Sequence, residues 1–200
     1  MAQALIFTRF ERFWHWAQAL LITGLFGTGF EVHGSWHLLG FEQAAQLHRV
    51  LAWTLIGLWV LAIFWHFTTG AWRHYLPTRD GLGAVARYYG YGIFRGESHP
   101  YRATRSAKHN PLQRLAYLFL KLAISPVTWV SGLLYLFYHD LHAVAPGLDL
   151  GLVAWVHTAA AFAMAVFVCG HVYMTLLGHD KLFELRHVRS MINGYGEVEE

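Results

Sequence analysis

Between Gly151 and Gly178 the chain reads GLVAWVHTAAAFAMAVFVCGHVYMTLLG, apolar apart from two histidines and a few small hydroxyls. A run of that length predicts a membrane-spanning helix rather than a strand or a short core helix. His157 and His171 stand fourteen positions apart in it. At ~100° and ~1.5 Å per residue they share one helical face to within ~40° and lie ~21 Å apart along the axis. One imidazole therefore falls near each end of the bilayer core, a depth at which ionisable side chains are costly and functional. Ala159, Ala160, Ala161, Ala163, Ala165 and Gly170 leave room beside them for something flat and bulky.

The rest of the chain repeats the theme. Hydrophobic residues make up 56%, aromatic 16% and charged only 14%, unlike a soluble domain. A single cysteine, Cys169, rules out an intrachain disulfide framework, an all-cysteine iron–sulfur site and C-x-x-C-H haem attachment. Three further apolar runs, about 13–30, 46–69 and 112–138, join 152–178 to predict an all-α membrane protein. Its architecture is a four-transmembrane-helix bundle within a single domain, 1–200. The start MAQALIFTRFERFWHW carries no signal-peptide cleavage pattern, so the first run is expected to stay as a helix. Pro126 should kink the third span.

Loop charge orients the bundle. Arg9 and Arg12 precede the first span, and Lys181, Arg186 and Arg189 follow the fourth. The middle loop, 71–111, holds Arg73, Arg79, Arg87, Arg95, Arg102, Arg105 and Lys108, with Arg114 just beyond it. The two short connections, 31–45 and 139–150, carry neither Lys nor Arg. The positive-inside rule then puts both termini and the middle loop in the cytoplasm. Residues 81–94, GLGAVARYYGYGIF, suit a segment lying in the membrane interface, and the tail GEVEE a frayed end.

On this topology the histidines pair by depth. His15 and His171 fall toward the cytoplasmic ends of spans one and four. His48 and His157 fall toward the opposite ends of spans two and four. Two imidazoles at matching depth on two helices are what a haem iron needs, so the pattern predicts two b haems. The plain alternative, interhelical hydrogen bonding, suits one histidine better than four that pair by depth. Arg49, beside His48, is placed to meet a haem propionate. Gly24, Gly27 and Gly29 would admit a macrocycle edge or serve helix packing.

His66 lies eighteen residues after His48 on the same face and is read as a neighbour of a propionate or a quinone, with a haem ligand as the alternative. His33, His37, His139 and His142 fall in the outer loops. At the head of span three, KHNPLQRLAY sets Asn110, Gln113 and Arg114 at the cytoplasmic interface. They suit a quinone carbonyl, or equally a helix cap with Asn110 at N-cap and Pro111 at N1. Lys121 shares a face with Arg114 and can snorkel to the cytoplasmic surface.

RFWHW, HRVLAW, HNPLQR and the H-x13-H span together resemble the dihaem cytochrome b subunits of respiratory membrane enzymes. These include the thiosulfate reductase cytochrome b subunit (the closest branch), the formate dehydrogenase gamma subunit and the Ni-Fe hydrogenase cytochrome b subunit. The resemblance covers nearly the whole chain. It implies haem-iron ligation by His15, His48, His157 and His171, and a quinone site near the cytoplasmic-side haem. There the family's N-x-x-Q-K pattern stands as Asn110 to Arg114, with arginine in place of lysine. It implies a quinone-reactive electron-transfer subunit of the bacterial inner membrane, working with menaquinone or ubiquinone and having no organic-substrate site of its own. A periplasmic partner would bring iron–sulfur clusters and molybdopterin, nickel-iron or multihaem cytochrome c; membrane lipid surrounds the subunit, and no nucleic acid is involved. The rival readings are a stand-alone dihaem quinone reductase oxidising a small soluble donor such as superoxide, and a non-redox metal transporter.

Overall fold

The computed structural model describes residues 2–102, 104, 107–176 and 185–198. Arg105, Lys181, the last two residues of the expected fourth span (Leu177 and Gly178) and the tail's Glu199 and Glu200 lie outside the described residues. The chain forms two compact units, Phe7–Trp72 and Met1–Ile6 with Arg73–Glu200.

The first unit is a helical hairpin of α1 (Arg9–Val32) and α2 (Phe41–Thr69). The sequence Thr8-Arg9-Phe10-Glu11 starts α1 with a capping box, the Thr8 side chain accepting from Glu11 N and Glu11 accepting from Thr8 N. Along the hairpin Trp59 Nε1 donates to Gln18 Oε1 at 2.7 Å, and Phe10 stacks on Trp65 at 4.7 Å. At its turn the Glu31 carboxylate, only 4% exposed, accepts the backbone N–H groups of Leu38, Leu39 and Gly40. Helix α2 then begins at Phe41, five residues before the expected start of the second span. Burial acts to raise the Glu31 pKa, but the three N–H groups and His37 prevail and hold it below the ordinary carboxylate value.

The second unit contains α3 (Leu82–Gly90), α4 (Pro111–Phe119), α5 (Ser125–Leu136), α6 (Tyr138–Val144), α7 (Leu150–Leu176) and α8 (Arg186–Asn193). Asn110 and Gln113 close a second capping box at the head of α4, with Pro111 in its first turn. The expected break near Pro126 takes a specific form. Residues Leu120–Ile124 make a π turn in which Ser125 N–H reaches back to Leu120 O, and α5 follows at once. Part of the segment 81–94 turns into protein: Val85, Tyr88, Tyr89 and Ile93 form a buried cluster against Tyr101, Leu112, Tyr173 and Met174, while Tyr91 and Phe94 stay exposed.

A two-stranded antiparallel sheet corrects the purely α expectation. β1 (Ala2–Leu5) pairs with β2 (Tyr195–Val198), Ala2 opposite Val198 and Leu5 opposite Tyr195. Gly196, Glu197 and Val198 of the expected frayed tail are thus hydrogen-bonded strand.

Among the described residues three helices are long and apolar enough to cross a membrane: Phe41–Thr69, Pro111–Leu136 and Leu150–Leu176. They expose many large apolar side chains, among them Val60, Phe64, Leu122, Trp155 and Val166, as a lipid-facing surface requires. Helix α1 has the length to cross, but His15, Gln18, Thr23 and Thr28 dilute its apolar character.

Candidate haem-binding histidines

Each unit carries part of the expected ligand set: His15 and His48 lie in the hairpin, His157 and His171 on α7. In the hairpin, His48 Nδ1 meets Thr28 Oγ1 at 2.9 Å. The Thr28 hydroxyl also lies 2.9 Å from Gly24 O; with its proton directed there it accepts from a protonated Nδ1. In the other unit His157 Nδ1 meets Ser131 Oγ at 3.1 Å and Thr128 O at 3.0 Å. A carbonyl only accepts, so this ring too is protonated at Nδ1. A ring protonated at Nδ1 has its lone pair on Nε2, the atom that a ligating histidine of this tautomer offers to iron.

Both rings lie against glycine. A Cβ on Gly29 would stand 3.3 Å from His48 Cε1, and one on Gly132 would stand 3.0 Å from His157 Cε1. The small residues divide their labour otherwise. Gly24 admits the Leu51 side chain and Ala160 is buried, whereas a Cβ at Gly27, Gly57 or Gly170 would enter open space. Donor chemistry and clearance together fit a haem with axial imidazoles.

His171 is held differently. Its Nδ1 lies 3.4 Å from the Tyr117 hydroxyl, and its ring is parallel to Phe167 with centroids 6.2 Å apart. His15 presents an edge-to-face contact with Trp16 at 5.1 Å. His66, 6% exposed, donates from Nδ1 to Ala62 O at 2.6 Å and lies edge-on to Trp14 and Trp65.

Residues 6–194 match the family described as prokaryotic cytochrome b561. The chain belongs to that family. It is also 30% identical over 200 aligned residues to the Escherichia coli (strain K12) protein named "Putative cytochrome YdhU", covering 95% of this chain and 73% of that relative. No solved structure matches it. As a prokaryotic cytochrome b561 it is a membrane cytochrome that binds b-type haem and transfers electrons.

The residues expected around a quinone are distributed between the units of this cytochrome b561. Asn110, Gln113 and Arg114 gather at the head of α4, and His66 lies on α2 in the hairpin. The helix-cap role that the sequence also allowed is formed: Asn110 Oδ1 accepts from Gln113 N at 2.8 Å, and Gln113 Oε1 from Asn110 N at 3.1 Å. The buried Asn110 side chain also hydrogen-bonds Tyr89. Burial, reinforced by Tyr88, pushes the Tyr89 phenol up to about 12. Arg114 Nε donates to His109 O at 3.0 Å, and Arg49 is exposed on α2 next to His48.

Lys121 does not simply snorkel. Its ammonium lies 3.2 Å from the centroid of the Tyr75 ring, a cation–π contact inside the second unit. Tyr75 in turn packs on His109 and Tyr117. The sequence reading passed over His109, whose pKa burial pushes down to about 3, with Lys108 and His74 adding to the shift. It also passed over Thr28, Ser131 and Gly132, which carry no signal until the ring each one faces is known.

Proposed function

We propose that this cytochrome b561 is a dihaem subunit that passes electrons between the quinone pool and a redox partner on the periplasmic side. The observation that carries the reading is the matching Nδ1 engagement of His48 and His157, which prepares both rings to ligate through Nε2. In this reading His48 and His157 hold one haem, and His15 and His171 the other. Bound haem b supplies one-electron chemistry at its iron.

The paired chain ends support an even number of crossings, because β1 and β2 cannot join across a bilayer. With three strongly apolar helices, α1 is the fourth crossing. The basic segments then put both ends in the cytoplasm and the short connections in the periplasm of the bacterial inner membrane.

The quinone site lies at the head of α4. The amide N–H groups of Gln113 and Asn110 hydrogen-bond the quinone carbonyls, while Arg114 supplies positive charge at the rim and His66 a further donor. Quinone chemistry exchanges protons with the cytoplasm. The partner that exchanges electrons is a periplasmic subunit that carries iron–sulfur and molybdopterin, nickel-iron or multihaem c centres.

A water-soluble menaquinol or ubiquinol analogue added to the purified protein should reduce the dithionite-reducible b haem. Failure of both analogues to reduce it, with haem fully loaded, would remove quinol as the donor.

A further inference from the structure

We propose that Thr28–Gly29 on α1 and Ser131–Gly132 on α5 are matched positioning pairs that fix the tautomer and ring orientation of His48 and His157. The inference rests on the reading above, in which these two histidines ligate one haem. It adds residues outside the ligand set that set the electronic character of that ligand pair.

The two surroundings are built alike in separate parts of the chain. In each a small hydroxyl residue is followed directly by glycine, on the helix that packs against the histidine's own. Both hydroxyls are buried, Thr28 at 5% and Ser131 at 4% exposure. Each spends its single proton on its own helix. Thr28 donates to Gly24 O at 2.9 Å and Ser131 to Val127 O at 2.6 Å. A hydroxyl with its proton committed has only lone pairs to offer, so the imidazole must present N–H to it. The glycine beside it then lets the ring lie close, since a Cβ at either position would crowd Cε1. Hydroxyl and glycine thus fix two different properties of one ring, the position of its proton and the direction of its Nε2 lone pair.

An acceptor on Nδ1–H makes the imidazole a stronger electron donor through Nε2, which favours oxidised iron. Removing the acceptor should therefore raise the midpoint potential. The surroundings of the two rings differ at one point. His48 has Thr28 Oγ1 as its hydroxyl acceptor, whereas His157 Nδ1 is shared between Ser131 Oγ and Thr128 O. Loss of the Ser131 hydroxyl leaves the Thr128 carbonyl in place, which limits the effect of that variant.

The test is a redox titration of the intact, haem-loaded protein, followed by the alpha band and by paramagnetic resonance. Thr28→Val should keep full haem content and shift one haem toward the reduced form by roughly tenfold in its equilibrium, or about 59 mV for one electron. Thr28→Ser should restore the wild-type value. Ser131→Ala should shift the same haem by less, roughly threefold. Gly132→Ala should move the low-spin signal of that haem by turning the ring. Thr28→Ala substitutes for Thr28→Val if the latter does not accumulate.

Unchanged potentials in both hydroxyl variants with full haem would overturn the proposal and leave the ligand assignment standing. Shifts in two different haems would instead support the positioning pairs and refute the pairing of His48 with His157.

Discussion

His157 and His171 belong to one helix yet are held in opposite ways. His157 faces a carbonyl and a hydroxyl whose proton is already committed, so its Nδ1 can only donate. His171 faces the Tyr117 phenol at 3.4 Å, long for such a bond, and a phenol can donate or accept. Around His157 the close neighbour is the backbone of Gly132; around His171 it is the ring of Phe167, with Tyr117 packed on both. If both rings ligate iron as proposed, the difference teaches that one ligand is fixed by backbone and hydroxyls at one depth while the other is adjustable through aromatic rings at another. On the proposed topology the adjustable end is the one nearest the head of α4, where quinone would come and go.

The largest effects break the comparison outright. His157→Ala should remove one haem and leave the other, and His171→Ala should remove the other, each leaving about half the haem by pyridine haemochrome. His48→Ala should copy the first result and His15→Ala the second. Loss of a haem in His66→Ala, with both retained in His15→Ala, would put the buried His66 in place of His15 in the pair with His171.

A smaller effect separates the two roles of Asn110. Asn110→Ala removes an N-cap and a bond to Tyr89, and the cap alone is worth about 0.5–2 kcal/mol. The melting temperature should fall accordingly. If Asn110 also binds quinone, quinol-dependent haem reduction should slow roughly tenfold, as expected when a hydrogen bond is lost and its partner left unpaired. A lower melting temperature with normal quinol kinetics would make it a cap alone.

The smallest effect concerns the hairpin that carries Thr28 and Gly29. Glu31 has a lowered pKa in the folded protein, so its charge stabilises the fold above the ordinary carboxylate value of 4.5. That contribution should be lost as pH falls from 4.5 through the lowered folded value. Thermal melts between pH 3 and 6 should show an acid decline that Glu31→Gln flattens. An equally steep decline in the variant would mean that the three amides do not depend on the charge.

The apolar runs and the histidine spacing were plain from the sequence, because membrane length and helical period leave few alternatives for such a pattern. Asn110, Pro111 and Gln113 spelled a helix start as clearly as they suggested a ligand site, and the cap is formed. The sheet was not legible: AQAL and YGEV are too short to show alternation, and they pair from opposite ends of the chain. Thr28 and Ser131 looked like ordinary helical hydroxyls bonded one turn back, which they also are. Their second role depends on a ring twenty-odd residues away on another helix. The ring that Lys121 meets was not legible for a similar reason, since Tyr75 comes from a short turn far upstream.

The central claim is that this chain holds two bis-histidine b haems. Haem quantification on the purified protein, combined with paramagnetic resonance of the oxidised form, tests it most directly. The account predicts two haems b per chain, both low-spin and with distinct signals. One haem per chain, or a substantial high-spin signal from an intact sample, would contradict it.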